Sequence, residues 1–169
     1  MANTALRAEA QGTGRTHMVF KDKEHEKFYC EKLGQARHQD CYHKALLYIL
    51  GISGDTRSHF SQIYDIKSGR IKTGCLKQGW QTSSSARAVR LAFNLYTDGM
   101  PDIDDYESGD GQAGAYSVSD IFCCGYAVYF WQGIQLRYPE YCQEQKPVEE
   151  IFAEMEGKRA ENQAYGNKE

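Results

Sequence analysis

Along this chain apolar residues recur mostly at the three- and four-residue spacing of a single helix face, which predicts an almost entirely helical fold. Asp22 is placed to cap a first helix carrying Phe28, Tyr29, Leu33 and Ala36, with acids early in its first turn. A second helix runs from Asp40 to Leu50; residues 45–50 are continuously apolar, and Gly51 stands at its stop. Asp55 is the cap expected for a third, with Phe60, Ile63 and Tyr64 on one face. Residues 67–70 read as a turn between Ile66 and Ile71, so a minor β-hairpin near 66–72 is all the strand structure the pattern allows. Thr73 is expected to cap a short helix through Cys75, Leu76 and Lys77. A stronger helix opens at residues 82–85, lines up Ala86, Val89, Phe93 and Tyr96, and ends at Gly99 and Pro101.

The least polar stretch is residues 121–136, where only Gln132 and Gln135 are clearly polar. At about 16 residues it falls short of the roughly 20 that a bilayer needs. Ser117, with Asp120 three positions on, opens it as a capping box, and Pro139 closes it. Read as one helix over 118–138 and nearly apolar all round, it is expected at the centre of the fold. Pro147 opens a last amphipathic helix carrying Val148, Ile151, Phe152 and Met155. The fold class is therefore all-α, a compact bundle of about six or seven helices around the central apolar helix 118–138. Three segments are expected: a disordered leader over 1–17, a helical core over 18–142, and an amphipathic helix and tail over 143–169.

Composition adds limits rather than a function. Hydrophobic residues at 41% and charged residues at 25% of 169 positions are ordinary globular usage and exclude a chain disordered throughout. The leader lacks the apolar run of a secretory signal, so the six cysteines are read as reduced thiols and the location as cytoplasmic.

The net charge of −3 conceals a strong division. Residues 15–90 hold 14 Lys/Arg against 7 Asp/Glu, whereas residues 91–136 hold 7 acids and no Lys or Arg. The basic half is densest over 57–90, where Asp65 is the single acid. Lys67, Arg70, Lys72, Lys77, Arg87 and Arg90, with Trp80 among them, suit phosphate contact combined with base stacking. Ser83 and Ser84 at a helix start add backbone amides that favour an anion. The acidic stretch, with Asp102, Asp104, Asp105, Glu107 and Asp110, reads as a solvated loop that meets a basic protein partner. It lacks the central glycine and terminal glutamate of an EF-hand calcium loop.

Catalytic signals are thin. His38, Cys41 and His43 lie close together but lack the second ligand pair of a zinc site, so no metal is assigned. Asp40, His43 and Lys44 are an acid–base combination without a marked pocket, and Cys123 and Cys124 sit in the most apolar segment, where thiols stay inert. No P-loop, dinucleotide fingerprint, nucleophile elbow or zinc-protease motif is present, and no motif asks for a cofactor. The chain reads as a non-enzymatic protein; a small nuclease or nucleotide-modifying enzyme using His38, His43 or His59 is the minor alternative.

Residues 20–29 (FKDKEHEKFY), 40–45 (DCYHKA), 79–83 (GWQTS), 90–96 (RLAFNLY), 122–124 (FCC), 129–131 (YFW) and 137–142 (RYPEYC) together resemble a functionally uncharacterised family of small proteins. That family is associated with phages and integrative elements of Gram-positive gut anaerobes. The resemblance spans residues 19–142 and brings no catalytic residues with it. It implies a mobile-element protein that binds a host or defence protein or nucleoprotein, anti-CRISPR inhibitors being one such kind. Direct nucleic-acid binding through the basic band is the alternative.

Overall fold

Asp40 starts the helix around which the rest of the molecule is arranged. In the computed structural model, which describes residues 18–101, 115–142, 152, 155 and 156, that helix is α2, Cys41–Gly51. The Asp40 carboxylate accepts the His43 amide, and every residue from Ala45 to Gly51 is buried. A six-residue apolar run has no polar face to leave in water, so α2 must be covered on all sides. Three helices do this: α1 (Lys23–Gln35), α5 (Ser83–Thr97) and α7 (Ala127–Arg137). Full burial of a side chain such as Leu46, Leu47, Ile49 or Leu50 stabilises by about 1.5–3 kcal/mol each.

Local chemistry accounts for the elements around it. Asp22 accepts the His25 amide at 2.7 Å and starts α1, which buries His25, Phe28 and Tyr29 at helical spacing. Thr82 and Ser85 cap α5 reciprocally, each side chain accepting the other's amide. Short helices α3 (Gly54–Ser58) and α4 (Phe60–Ile63) lead into a hairpin of β1 (Tyr64–Asp65) and β2 (Arg70–Ile71), in register Tyr64 to Ile71 and Asp65 to Arg70. Its turn needs Gly69 at φ +71°, and Asp65 accepts the amides of Lys67 and Ser68. A 3₁₀ turn at Thr73–Lys77 precedes α5, and α6 (Val118–Phe122), capped by Ser117, precedes α7.

The all-α class with one small hairpin agrees with the expectation, but the centre does not. The single helix foreseen over 118–138 is two, α6 and α7, parted at residues 123–126. Gly125 in that gap is a poor helix residue, and Cys124 turns its amide back to the Phe122 carbonyl. Nor is this segment central. Val118, Val128 and Trp131 are exposed, whereas α2, buried without a break from Ala45 to Gly51, occupies the middle.

Smaller differences have local causes. Ser53, not Asp55, caps the third helix, which breaks at His59. Gly51 ends α2 instead of following it, and Ile52 is the cap. Lys72 occupies the cap position expected of Thr73. Asp98, at φ 54°, takes the left-handed position after α5 that glycine was expected to fill at 99, and Arg137 holds its carboxylate. Of the expected last helix, Phe152, Met155 and Glu156 are helical and exposed; the remainder lies outside the described residues, as do the leader and residues 102–114.

Two close contacts set the packing. A Cβ on Gly133 would stand 2.4 Å from Cδ1 of Ile49, so the absence of a side chain lets α7 lie directly on α2. His25, fully buried, accepts the Lys21 amide through Nδ1 and donates through Nε2 to the Tyr48 carbonyl at 2.8 Å. This arrangement requires the neutral ring, and burial lowers the His25 pKa to about 4.

Two outcomes follow for equilibrium unfolding in urea. Gly133→Ala lowers stability by about 1–3 kcal/mol through overpacking, and unchanged stability would contradict the contact with Ile49. Unfolded His25 takes a proton near pH 6.5 but folded His25 only near 4, so between these values the unfolded chain binds the extra proton. Stability therefore falls as pH drops through this window, by about 2–3 kcal/mol from His25 alone at pH 4.5. His25→Gln removes that part of the slope.

Candidate functional site

The hairpin and the 3₁₀ turn carry most of the basic band. Lys67 projects from the turn and Arg70 from β2, both exposed. Lys72 follows β2 and donates through Nζ to the Ser61 carbonyl at 2.7 Å, while Lys77 ends the 3₁₀ turn. Trp80 lies flat on His59, ring centroids 4.3 Å apart and planes within 2° of parallel. Its indole N–H donates to Oε1 of Gln62 at 3.0 Å, which fixes the ring. Asp65, the one acid of this segment, directs its carboxylate to the turn amides of Lys67 and Ser68. The structure thus brings Lys67, Arg70, Lys72 and Trp80 onto the connected α4, hairpin and 3₁₀ unit. The His59 stack had no signal in the sequence, because the two rings are separated by the whole hairpin.

The second part of the band is less available. Ser83 and Ser84 open α5, but the amides of Thr82 and Ser85 are already satisfied by the capping box, and Ser85 Oγ donates to Gln81. Arg87 turns toward α6, donating to the Asp120 carbonyl at 2.7 Å with its terminal nitrogen 3.6 Å from the Asp120 carboxylate. Arg90 is half-buried, and its Nε is enclosed without a hydrogen-bond partner among the described residues.

The acidic half is partly neutralised from within. Asp120 meets Arg87, and Asp98 receives two hydrogen bonds from Arg137 at 2.7 and 2.9 Å. Arg137 also donates to the Leu95 carbonyl and lies 3.6 Å from the centre of the Tyr42 ring and 4.5 Å from that of Tyr138. Burial opposes its charge, but Asp98 beside it outweighs that and raises its pKa. Asp102, Asp104, Asp105, Glu107 and Asp110 lie outside the described residues.

Of the acid–base combination, Asp40 and His43 come together and Lys44 does not join them. His43 Nδ1 lies 2.7 Å from Asp40 Oδ1, and its Nε2 lies 3.4 Å from the Tyr96 hydroxyl. Tyr96 donates its single proton to the Gly69 carbonyl at 2.9 Å, and the Tyr64 hydroxyl lies 3.2 Å away. Burial, with Tyr96 adjacent, pushes the Tyr64 pKa up. For Asp40, burial acts the other way, yet hydrogen bonds from the His43 backbone and ring hold its pKa below the usual carboxylate range. Neither described cleft is lined by His43, Tyr96 or Tyr64. The network joins α2, the hairpin and α5; Tyr96, 53 positions from His43, was not foreseeable as its partner.

All six cysteines are free thiols. Cys75 is buried, which raises its pKa to about 12. Cys123 is exposed and Cys124 partly so, contrary to the inert apolar setting expected of them, because the chain leaves the helix there. Among the described residues no three His, Cys, Asp or Glu side chains gather as a metal site, and no helix is long and apolar enough to cross a membrane.

No curated protein and no solved structure matches the chain. A family model matches residues 15–150, reaching past Pro147 and so beyond the span 19–142 over which the sequence motifs run. With most of its length covered, the chain belongs to the family of unknown function DUF6075.

Proposed function

We propose that the protein is a non-enzymatic, cytoplasmic binding protein that engages single-stranded nucleic acid, free or held within a nucleoprotein, through the hairpin side of its basic band. One observation carries this reading: the short unit that leaves Lys67, Arg70 and Lys72 exposed also holds a Trp80–His59 stack whose orientation Gln62 fixes. Flexible cations that follow a phosphate backbone, next to an aromatic platform of set orientation, are what sequence-tolerant binding of unpaired bases requires. The single acid of the segment does not oppose it, since Asp65 is occupied by backbone amides. The fold also makes one part of the band structural, because Arg87 is engaged by Asp120. A mobile-element protein directed at a host or defence nucleoprotein, an anti-CRISPR inhibitor for instance, is the biological setting we propose. The nucleic acid of such a target is what this surface would touch.

Fluorescence polarisation with short single-stranded DNA and RNA at low salt tests the reading. Binding at micromolar concentration or tighter is expected, weakening steeply with salt. Changing Lys67, Arg70 and Lys72 together to Gln should lower affinity at least tenfold and reduce the log–log salt slope by about 0.7 for each phosphate no longer neutralised. Arg87→Gln should leave binding nearly unchanged. Absence of binding, or an equal drop in affinity on changing Arg87, would overturn the assignment. In a Trp131→Phe background, where Trp80 is the remaining tryptophan, bound oligonucleotide should quench its emission. Unaltered emission at saturation would remove Trp80 from the binding surface.

A further inference from the structure

The side of a surface helix that faces water ordinarily carries charge, and α7 does not follow this rule. Its one charged residue, Arg137, turns inward to the Leu95 carbonyl and the Asp98 carboxylate. Facing water instead are Val128, 66% exposed, and Trp131, 51% exposed, one turn apart, with half-buried Gln135 a further turn along the same stripe. Tryptophan left in water is costly, and it is among the residues that most often anchor a protein interface.

The chain carries a second stripe of the same kind. Residues 147–156 place Val148, Ile151, Phe152 and Met155 at i, i+3, i+4 and i+7, with Glu149, Glu150, Glu154 and Glu156 on the remaining sides. Phe152 and Met155 are helical and also stand in water, 60% and 48% exposed. From Val128 to Gln135 and from Val148 to Met155 there are seven residue steps each, about 10 Å of helix. The α7 stripe has no acid, so it can take the apolar edge of a glutamate-rich helix without like-charge contact. Within one chain neither stripe covers the other, since Val128, Trp131, Phe152 and Met155 all remain exposed. We propose that a second copy of this chain covers them: residues 147–156 of each protomer lie on α7 of its partner. The exchange is isologous and closes at two copies. It takes both stripes of both copies out of water, whereas a different protein seated on α7 would leave Phe152 and Met155 uncovered.

Sedimentation equilibrium of the intact chain tests this. In about 1 M salt, which screens charge-driven association, the chain is expected to form dimers at about 50 µM that dissociate on dilution. Trp131→Glu and Phe152→Glu, both at exposed positions, should each raise the dissociation constant at least about tenfold while keeping the helical circular dichroism spectrum. Should either lose that spectrum, Val128→Gln and Met155→Gln probe the same two stripes. Mixed in equal amounts, the two glutamate variants should associate more tightly than either does alone, because one copy keeps its terminal helix and the other its α7. The proposal fails if either variant leaves the dimer unaffected, if mixing restores nothing, or if the chain stays monomeric. In the monomeric case, a lower urea midpoint for Phe152→Glu would make the chain's own helix the cover of α7, and an unchanged midpoint would leave α7 to a different protein.

Discussion

A helix with no polar face has to be enclosed, and α2 imposes that constraint on the whole molecule. Its residues from Ala45 to Gly51 all lie out of water, so α1, α5 and α7 are arranged as its cover, not as a sequence of hairpins. The closest of these contacts depends on atoms that are missing. Gly133 has no side chain where Ile49 stands, and Gly51 has none where the His25 ring stands. Large apolar groups on one helix thus meet bare backbone on the next, which allows the density of a protein interior without off-rotamer side chains.

Polar groups at the edges of this core tie its pieces together and are used up in doing so. His43 joins Asp40 at the start of α2 to Tyr96 on α5, which in turn holds the hairpin at Gly69. Arg137 on α7 holds the end of α5 through the Leu95 carbonyl and the Asp98 carboxylate. Groups that would attract notice as acid–base residues in another setting are here joints between helices. His43 and Arg137 are buried and Tyr96 half-buried, with their hydrogen bonds directed inward, so chemistry is better sought where polar atoms are left over.

That criterion separates the charged residues. Arg87 and Arg137 are spoken for by Asp120 and Asp98, so part of the division of charge along the chain is internal pairing. Lys67 and Arg70 stand on a hairpin too small to bury them, and the Trp80 ring further along the same unit is set by His59 and Gln62.

What the amino-acid sequence determined by itself was local. Asp22, Asp40, Thr82 and Ser117 start helices because a side chain reaches an amide two or three residues away, and Gly69 turns a hairpin because only glycine occupies that backbone region freely. These interactions close within a few residues and are visible in any window that contains them. The concentration of bases over 57–90 was equally legible, being a count. Which helix lies in the middle was decided by tertiary structure, since residues 118–138 and α2 look alike in apolarity and only packing shows that a break at 123–126 leaves Val128 and Trp131 outside. Tertiary structure likewise decided which bases stay available. Arg87 and Asp120 are 33 positions apart, and Arg137 and Asp98 39, and no spacing rule reaches across such loops. Their partners are set by where helices come to rest, and that depends on burying α2.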